Sequence, residues 1–206
     1  MAEQVRHIAP FINVVFYITS HWWYERVNPV TGVVTIHRGL DIATSNSEPV
    51  YSMLNGHVLE RGTDSSQGNY LVIVDDTPGS PNYGYATRYM HLASFNVVQG
   101  QAVLVGQQVG MEGTTGQSTG IHLHVEMQDI SRFGWSWHWS YIKSDYIDPT
   151  QFMGIDNIDD TAWIYDGIPI PPTPEPTKKK DKFPWVLYAR KFRGRNHWQF
   201  FKNILK

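Results

Sequence analysis

At 206 residues, 41% hydrophobic and 17% charged, the chain can bury one enzyme-sized core and carry a small appendage. It has no cysteine, which excludes a disulfide framework and thiolate metal ligation, so a metal would have to be held by carboxylates and the nine histidines. The formal net charge of −2 hides a polarity: residues 178–206 carry ten Lys/Arg and one acidic residue, the rest seven Lys/Arg and eighteen Asp/Glu, which implies two parts with different tasks.

The apolar stretch from Ile8 to Ile18 is interrupted by Pro10 and Asn13, which makes a poor secretory signal. No run of about 18 apolar residues occurs, so no spanning helix is expected, and a target outside the membrane would need another export route. From Phe11 to Phe152 short β-branched and aromatic runs alternate with Gly, Asn, Asp, Ser and Pro clusters. The runs at 13–19, 33–36, 49–52, 70–74 and 85–91 predict a mostly β, antiparallel domain over 11–153, with a short turn of helix at 94–98. Residues 154–182 read as an acidic and then Pro/Lys-rich linker. Over 183–206 apolar residues recur at helical spacing on either side of Gly194, which predicts a basic, aromatic helical appendage.

Three short patterns carry candidate chemistry. In His37-Arg38-Gly39-Leu40-Asp41 a turn at the glycine can bring an imidazole and a carboxylate to one cation, although taken singly this is a commonplace solvated pair. His91 closes the strand-like run TRYMH, where a lone histidine usually hydrogen-bonds to backbone. The alternation in Gly120 to Met127 (GIHLHVEM) reads as a strand, which puts His122, His124 and Glu126 on one face. An isolated HxH is more often surface or packing histidine, and Glu126 reads equally as an orienting partner or an exposed strand residue. The aromatic stretch FGWSWHWSYIKSDY (133–146) reads as a groove wall or as core.

In order along the chain stand ITSHWWYERVNPVTGVVTIHRGLDIA (18–43), Pro49-Val50-Tyr51, Gly56-His57-Val58, TRYMH (87–91), GQAVLVGQQVG (100–110), GTTGQSTG (113–120), His122-Leu123-His124 and Asp148-Pro149. Together they resemble the lysostaphin and LytM family of zinc peptidoglycan endopeptidases over about 140 residues, a fold of the duplicated-hybrid-motif type. The resemblance implies one Zn2+ held by His37, Asp41 and His124, with a fourth tetrahedral position open, as in catalytic sites. It also implies that His122 and His91 are the two non-ligand histidines that act on the nucleophile and the developing oxyanion. We give the base role to His122 and stabilisation to His91, the reverse order remaining open. One departure stands out. The family commonly has an aromatic-glycine pair before its arginine, where this chain has His21-Trp22-Trp23-Tyr24-Glu25 ahead of Arg26, so the groove wall is expected to differ.

The function so implied is hydrolysis of cross-link or stem peptides in bacterial peptidoglycan, for lysis or local wall penetration by a phage. The rival is a non-catalytic wall-binding or scaffold protein on the same fold. A phage-encoded lysin or virion-associated enzyme suits the weak signal and the basic tail, which would bind anionic wall polymer, a membrane surface or a virion protein. No nucleic-acid partner is expected.

Overall fold

Residues 9–155 and the backbone of 162–164 are described by the computed structural model. The chain divides into two units, Met1–Pro171 and Pro172–Lys206, and every described residue lies in the first. The helix expected at 183–206 and most of the linker expected at 154–182 fall outside the described residues.

The strands are β1 (Val15–Ser20), β2 (Tyr24–Val27), β3 (Val34–His37), β4 (Leu40–Thr44), β5 (Pro49–Tyr51), β6 (Gly56–Asp64) and β7 (Gly68–Val74). They continue with β8 (Tyr85–Leu92), β9 (Ser94–Phe95), β10 (Ala102–Val103), β11 (Gln108–Met111), β12 (Leu123–Asp129) and β13 (Ala162–Ile164). An eight-stranded antiparallel sheet runs β10-β6-β7-β8-β12-β4-β1-β13, beside the sheet β5-β11-β9 and the hairpin β2-β3.

The pleat sorts the residues of the central strands by parity. On β12, Leu123, Val125 and Met127 enter the main core with Leu40 and Ile42 of β4 and Tyr89 of β8. Each such fully buried apolar side chain contributes about 1.5–3 kcal/mol relative to exposure. His124, Glu126 and Gln128 therefore take the opposite face, and they too are buried. Register then aligns that face across strands: Ser20 stands opposite Asp41, Asp41 opposite His124, His124 opposite Met90, and Glu126 opposite Arg88.

Three expectations are corrected. Asn13 has φ 58°, a left-handed conformation that no strand accommodates, so the first strand starts at Val15 rather than at 13. At 94–98 no turn of helix forms: Ser94 and Phe95 pair with β11 as β9, and the chain bends at Asn96 and Val97. Part of the linker is also ordered structure, since β13 pairs Ala162, Trp163 and Ile164 with Tyr17, Phe16 and Val15. A free β1 edge would present unpaired N–H and C=O groups, and this short segment satisfies them.

Candidate metal centre

His37 ends β3, the turn Arg38-Gly39 follows, and Asp41 returns on β4. Asp41 is register-paired with His124, and directly opposed residues hold their Cβ atoms about 4.5–5.5 Å apart. The three side chains therefore meet with little freedom to miss. His37 Nε2 lies 3.2 Å from Asp41 Oδ1 and 3.1 Å from His124 Nδ1, and His124 Nδ1 lies 2.7 Å from Asp41 Oδ1. Tetrahedral ligands about 2.0–2.2 Å from a divalent ion stand roughly 3.3–3.6 Å from one another, so two sides of this triangle lie just inside that spacing and the Asp41–His124 side is hydrogen-bond short. All three residues are buried, and among the described residues they are the only such cluster of possible ligands.

The donor set fits a cation because each ligand atom is freed by a partner on its far side. His37 Nδ1 donates to the His21 carbonyl at 2.9 Å, which leaves the Nε2 lone pair for the centre. His124 Nε2 donates to Glu126 Oε1 at 3.3 Å, which turns Nδ1 inward. Glu126 is buried, with Arg38 Nε at 3.7 Å, so it is the orienting partner and not an exposed strand residue. Burial would raise the Asp41 carboxyl, but the His37 and His124 imidazoles hold it well below the usual range. Burial likewise opposes charge on His124, yet Asp41 and Glu126 overcome it and draw its pKa up to about 9. Burial wins at His37, whose pKa is lowered. The cluster thus attracts one positive charge, and a metal ion would displace the proton that otherwise supplies it.

Gly39 makes the arrangement possible by its missing side chain. A Cβ there would stand 2.3 Å from His124 Nε2 and 2.7 Å from the Val125 carbonyl oxygen.

His91 and His122 complete the group, their rings 4.8 Å apart and the His91 ring 6.1 Å from that of His124. His91 has φ 65°, a strained setting for a non-glycine residue, held by its N–H to the Gln67 carbonyl at 2.9 Å. Its Nδ1 donates to the Thr115 carbonyl at 2.8 Å, and His122 Nδ1 donates to the Gly120 carbonyl at 2.9 Å. Each therefore keeps Nε2 free, and that of His122 lies 3.8 Å from Asp41 Oδ1. Burial, with His124 adding to it, pushes His91 down to about 4, so its imidazole is neutral at pH 7.

Two adjoining clefts open onto this group. One of about 330 Å³ is lined by Asn28, Pro29 and Val30 of the β2-β3 hairpin on one side and by residues 117–122 on the other. The second, about 170 Å³, runs past Met90 and Gln67 to Trp139. The aromatic stretch 133–146 divides between its two readings: Tyr146 is buried, whereas Trp139 is 46% and Tyr141 77% exposed. The Arg38 guanidinium lies over both exposed rings, 4.8 Å and 5.3 Å from their centres.

All five histidine and aspartate positions singled out from the sequence come together here. The supporting residues Ser20, Arg38 and Thr115 were not singled out, and Arg26, 3.2 Å from Asp41 Oδ2, was named only as the arginine that follows the atypical aromatic run. Thr115 acts through its backbone carbonyl, which leaves no residue-type signal.

Residues 35–148 match the model of Peptidase family M23. Over 110 residues the chain is 44% identical to the peptidoglycan DD-endopeptidase ShyB of Vibrio cholerae and 39% identical to ShyA of the same organism. Each match covers 53% of this chain but 24% of the relative's length, so the chain spans about a quarter of these curated relatives. The catalytic domain of the antimicrobial peptidase lysostaphin from Staphylococcus simulans aligns at 26% identity with a TM-score of 0.52, covering 67% of this chain and 92% of that one.

Proposed function

Since this chain belongs to peptidase family M23, we propose that it is a zinc metalloendopeptidase that hydrolyses peptide cross-links of bacterial peptidoglycan. His37, Asp41 and His124 would hold the ion, and His91 and His122 would handle protons. The observation that carries this reading is the triangle of three ligand atoms at 2.7–3.2 Å with two further imidazoles beside it, the His122 Nε2 3.8 Å from Asp41 Oδ1 and the His91 ring 4.8 Å from that of His122. When bound, zinc supplies a Lewis acid that polarises a peptide carbonyl and makes water a usable nucleophile near neutral pH.

The protein's own groups account for the proton traffic. With Nδ1–H given to backbone carbonyls, His91 and His122 both turn Nε2 away from the backbone, and the neutral His91 ring accepts there. A neutral imidazole so held steadies an oxyanion or protonates a leaving amine only once it has gained a proton. One imidazole therefore takes the proton released as water attacks, and the protonated imidazole then stabilises the tetrahedral anion and serves the departing nitrogen. Neutral His91 suits the accepting role as well as His122, to which the sequence assigned it.

We infer further that the scissile bond is a D-amino-acid cross-link and not a glycyl bridge, because the two relatives at 44% and 39% identity are DD-endopeptidases. Release of cross-link cleavage products from sacculi, abolished by a chelator and by His124→Ala, is the expected result; products that persist after both treatments would exclude the metal mechanism. The scaffold alternative predicts loss of ligands, and all five residues are present and convergent. A wall-, membrane- or virion-directed role for residues 183–206 extends the proposal on their charge asymmetry, and the phage setting is the context that such a role would suit. Removal of residues 178–206 with unchanged wall binding would dismiss the targeting role.

A further inference from the structure

Arg26 reaches the metal site from outside the ligand set. It sits on β2 opposite Thr35 of β3, and its guanidinium turns back toward β1 and β4. One terminal nitrogen is 3.2 Å from Asp41 Oδ2, and the other donates to Ser20 Oγ at 2.5 Å. Ser20 is itself buried and within 2.8 Å of the Tyr24 hydroxyl. The Asp41 carboxylate is consequently divided: Oδ1 faces His37 and His124, and Oδ2 faces Arg26.

That division has a consequence for coordination. A carboxylate free to swing can close on a divalent ion with both oxygens and occupy the position a reacting oxygen needs. A guanidinium fork engaged at two fixed points opposes that swing, and a lysine ammonium, a single point charge, lacks the planar fork to hold both partners. Arg26 also lines both clefts, on the hairpin whose tip at Asn28, Pro29 and Val30 walls the larger one.

Resting on the metallopeptidase reading, we propose that Arg26 is a positioning residue that keeps Asp41 a one-oxygen ligand and so keeps a coordination position open, tying that position to the groove-lining hairpin. The test compares the wild type with Arg26→Gln and Arg26→Lys, each checked for folding by circular dichroism. Zinc affinity is read by competition with a chromophoric chelator, and the ligand set by the visible absorption of the cobalt(II)-loaded proteins. Arg26→Gln is expected to bind zinc about 10–100-fold more weakly and to show a shifted cobalt absorption, because the second Asp41 oxygen enters the ligand set. Arg26→Lys is expected to fall between, because it keeps the charge without the fork. Unchanged affinity and spectrum in the folded variants would overturn the inference. Weakened affinity with an unaltered cobalt spectrum would do so too, by reducing Arg26 to a charge. A wild-type protein that binds no zinc would instead remove the metallopeptidase reading on which the inference stands.

Discussion

The two halves of the site are held by different means. Asp41 and His124 lie on register-paired strands of the central sheet, with Glu126 and Arg26 bracing them by side-chain contacts. His91 and His122 sit where strands give way to loops, one in a strained conformation, and both are fixed by backbone carbonyls. Strand register can set interatomic distances within tenths of an ångström, which a metal requires. Loop carbonyls set which ring nitrogen carries the proton, which proton transfer requires. Ligation and proton transfer should therefore be separable by mutation.

His124→Ala gives the largest effect. Loss of a ligand should abolish zinc loading by elemental analysis and, with several kcal/mol of electrophilic stabilisation gone, lower cross-link hydrolysis by about 1,000-fold or more. His91→Ala and His122→Ala should each lower kcat by roughly 10²–10⁴-fold while zinc content stays at one per chain; loss of zinc in either variant would break the separation. Glu126→Gln should leave the fold intact and weaken zinc binding about 10–100-fold, as measured by chelator competition.

The electrostatics of the ligand half yield a pH test. Metal-free His124 is drawn up to about 9 by Asp41 and Glu126 against the opposing effect of burial, so below that pH it carries a proton that zinc must displace. Apparent zinc affinity should therefore fall as pH is lowered from 9. Calorimetric titration at pH 7 in buffers of different ionisation enthalpy should register proton release, and its absence would contradict the assignment. The smallest effect concerns the loop half. Gly116 has φ +74°, and a Cβ there would lie 2.2 Å from the Gly68 nitrogen, so Gly116→Ala should cost about 1–3 kcal/mol in denaturant unfolding. It should also lower kcat with zinc retained, because the adjacent Thr115 carbonyl fixes His91.

How much of this was legible depended on whether the signal was periodic or long-range. The alternation around His122, Leu123 and His124 announces a strand with both imidazoles on one face, and it forms as β12 does, with Leu123 in the core. The turn at Gly39 was legible as a turn. Its partner across the sheet was not, because register between β4 and β12 depends on how whole strands pack and leaves no local mark. Arg26 escaped for the same reason: it acts on Asp41, fifteen positions on, through a bend that no period encodes. The three-residue strand Ala162–Ile164 is too short to show alternation and looked like linker. The stretch 133–146 defeated composition as a guide, since the same residue types face inward at Tyr146 and outward at Tyr141.

The space beside position 39 carries a warning for judging other chains of this kind. The imidazole of His124 occupies the volume that any larger residue at position 39 would claim. A variant with alanine there would still spell out every metal-binding and proton-handling residue, yet it would push that ring out of place and silence the centre. An inventory of chemically active letters can thus pass an inert protein as competent, and the atom that decides the matter is one the working sequence leaves out.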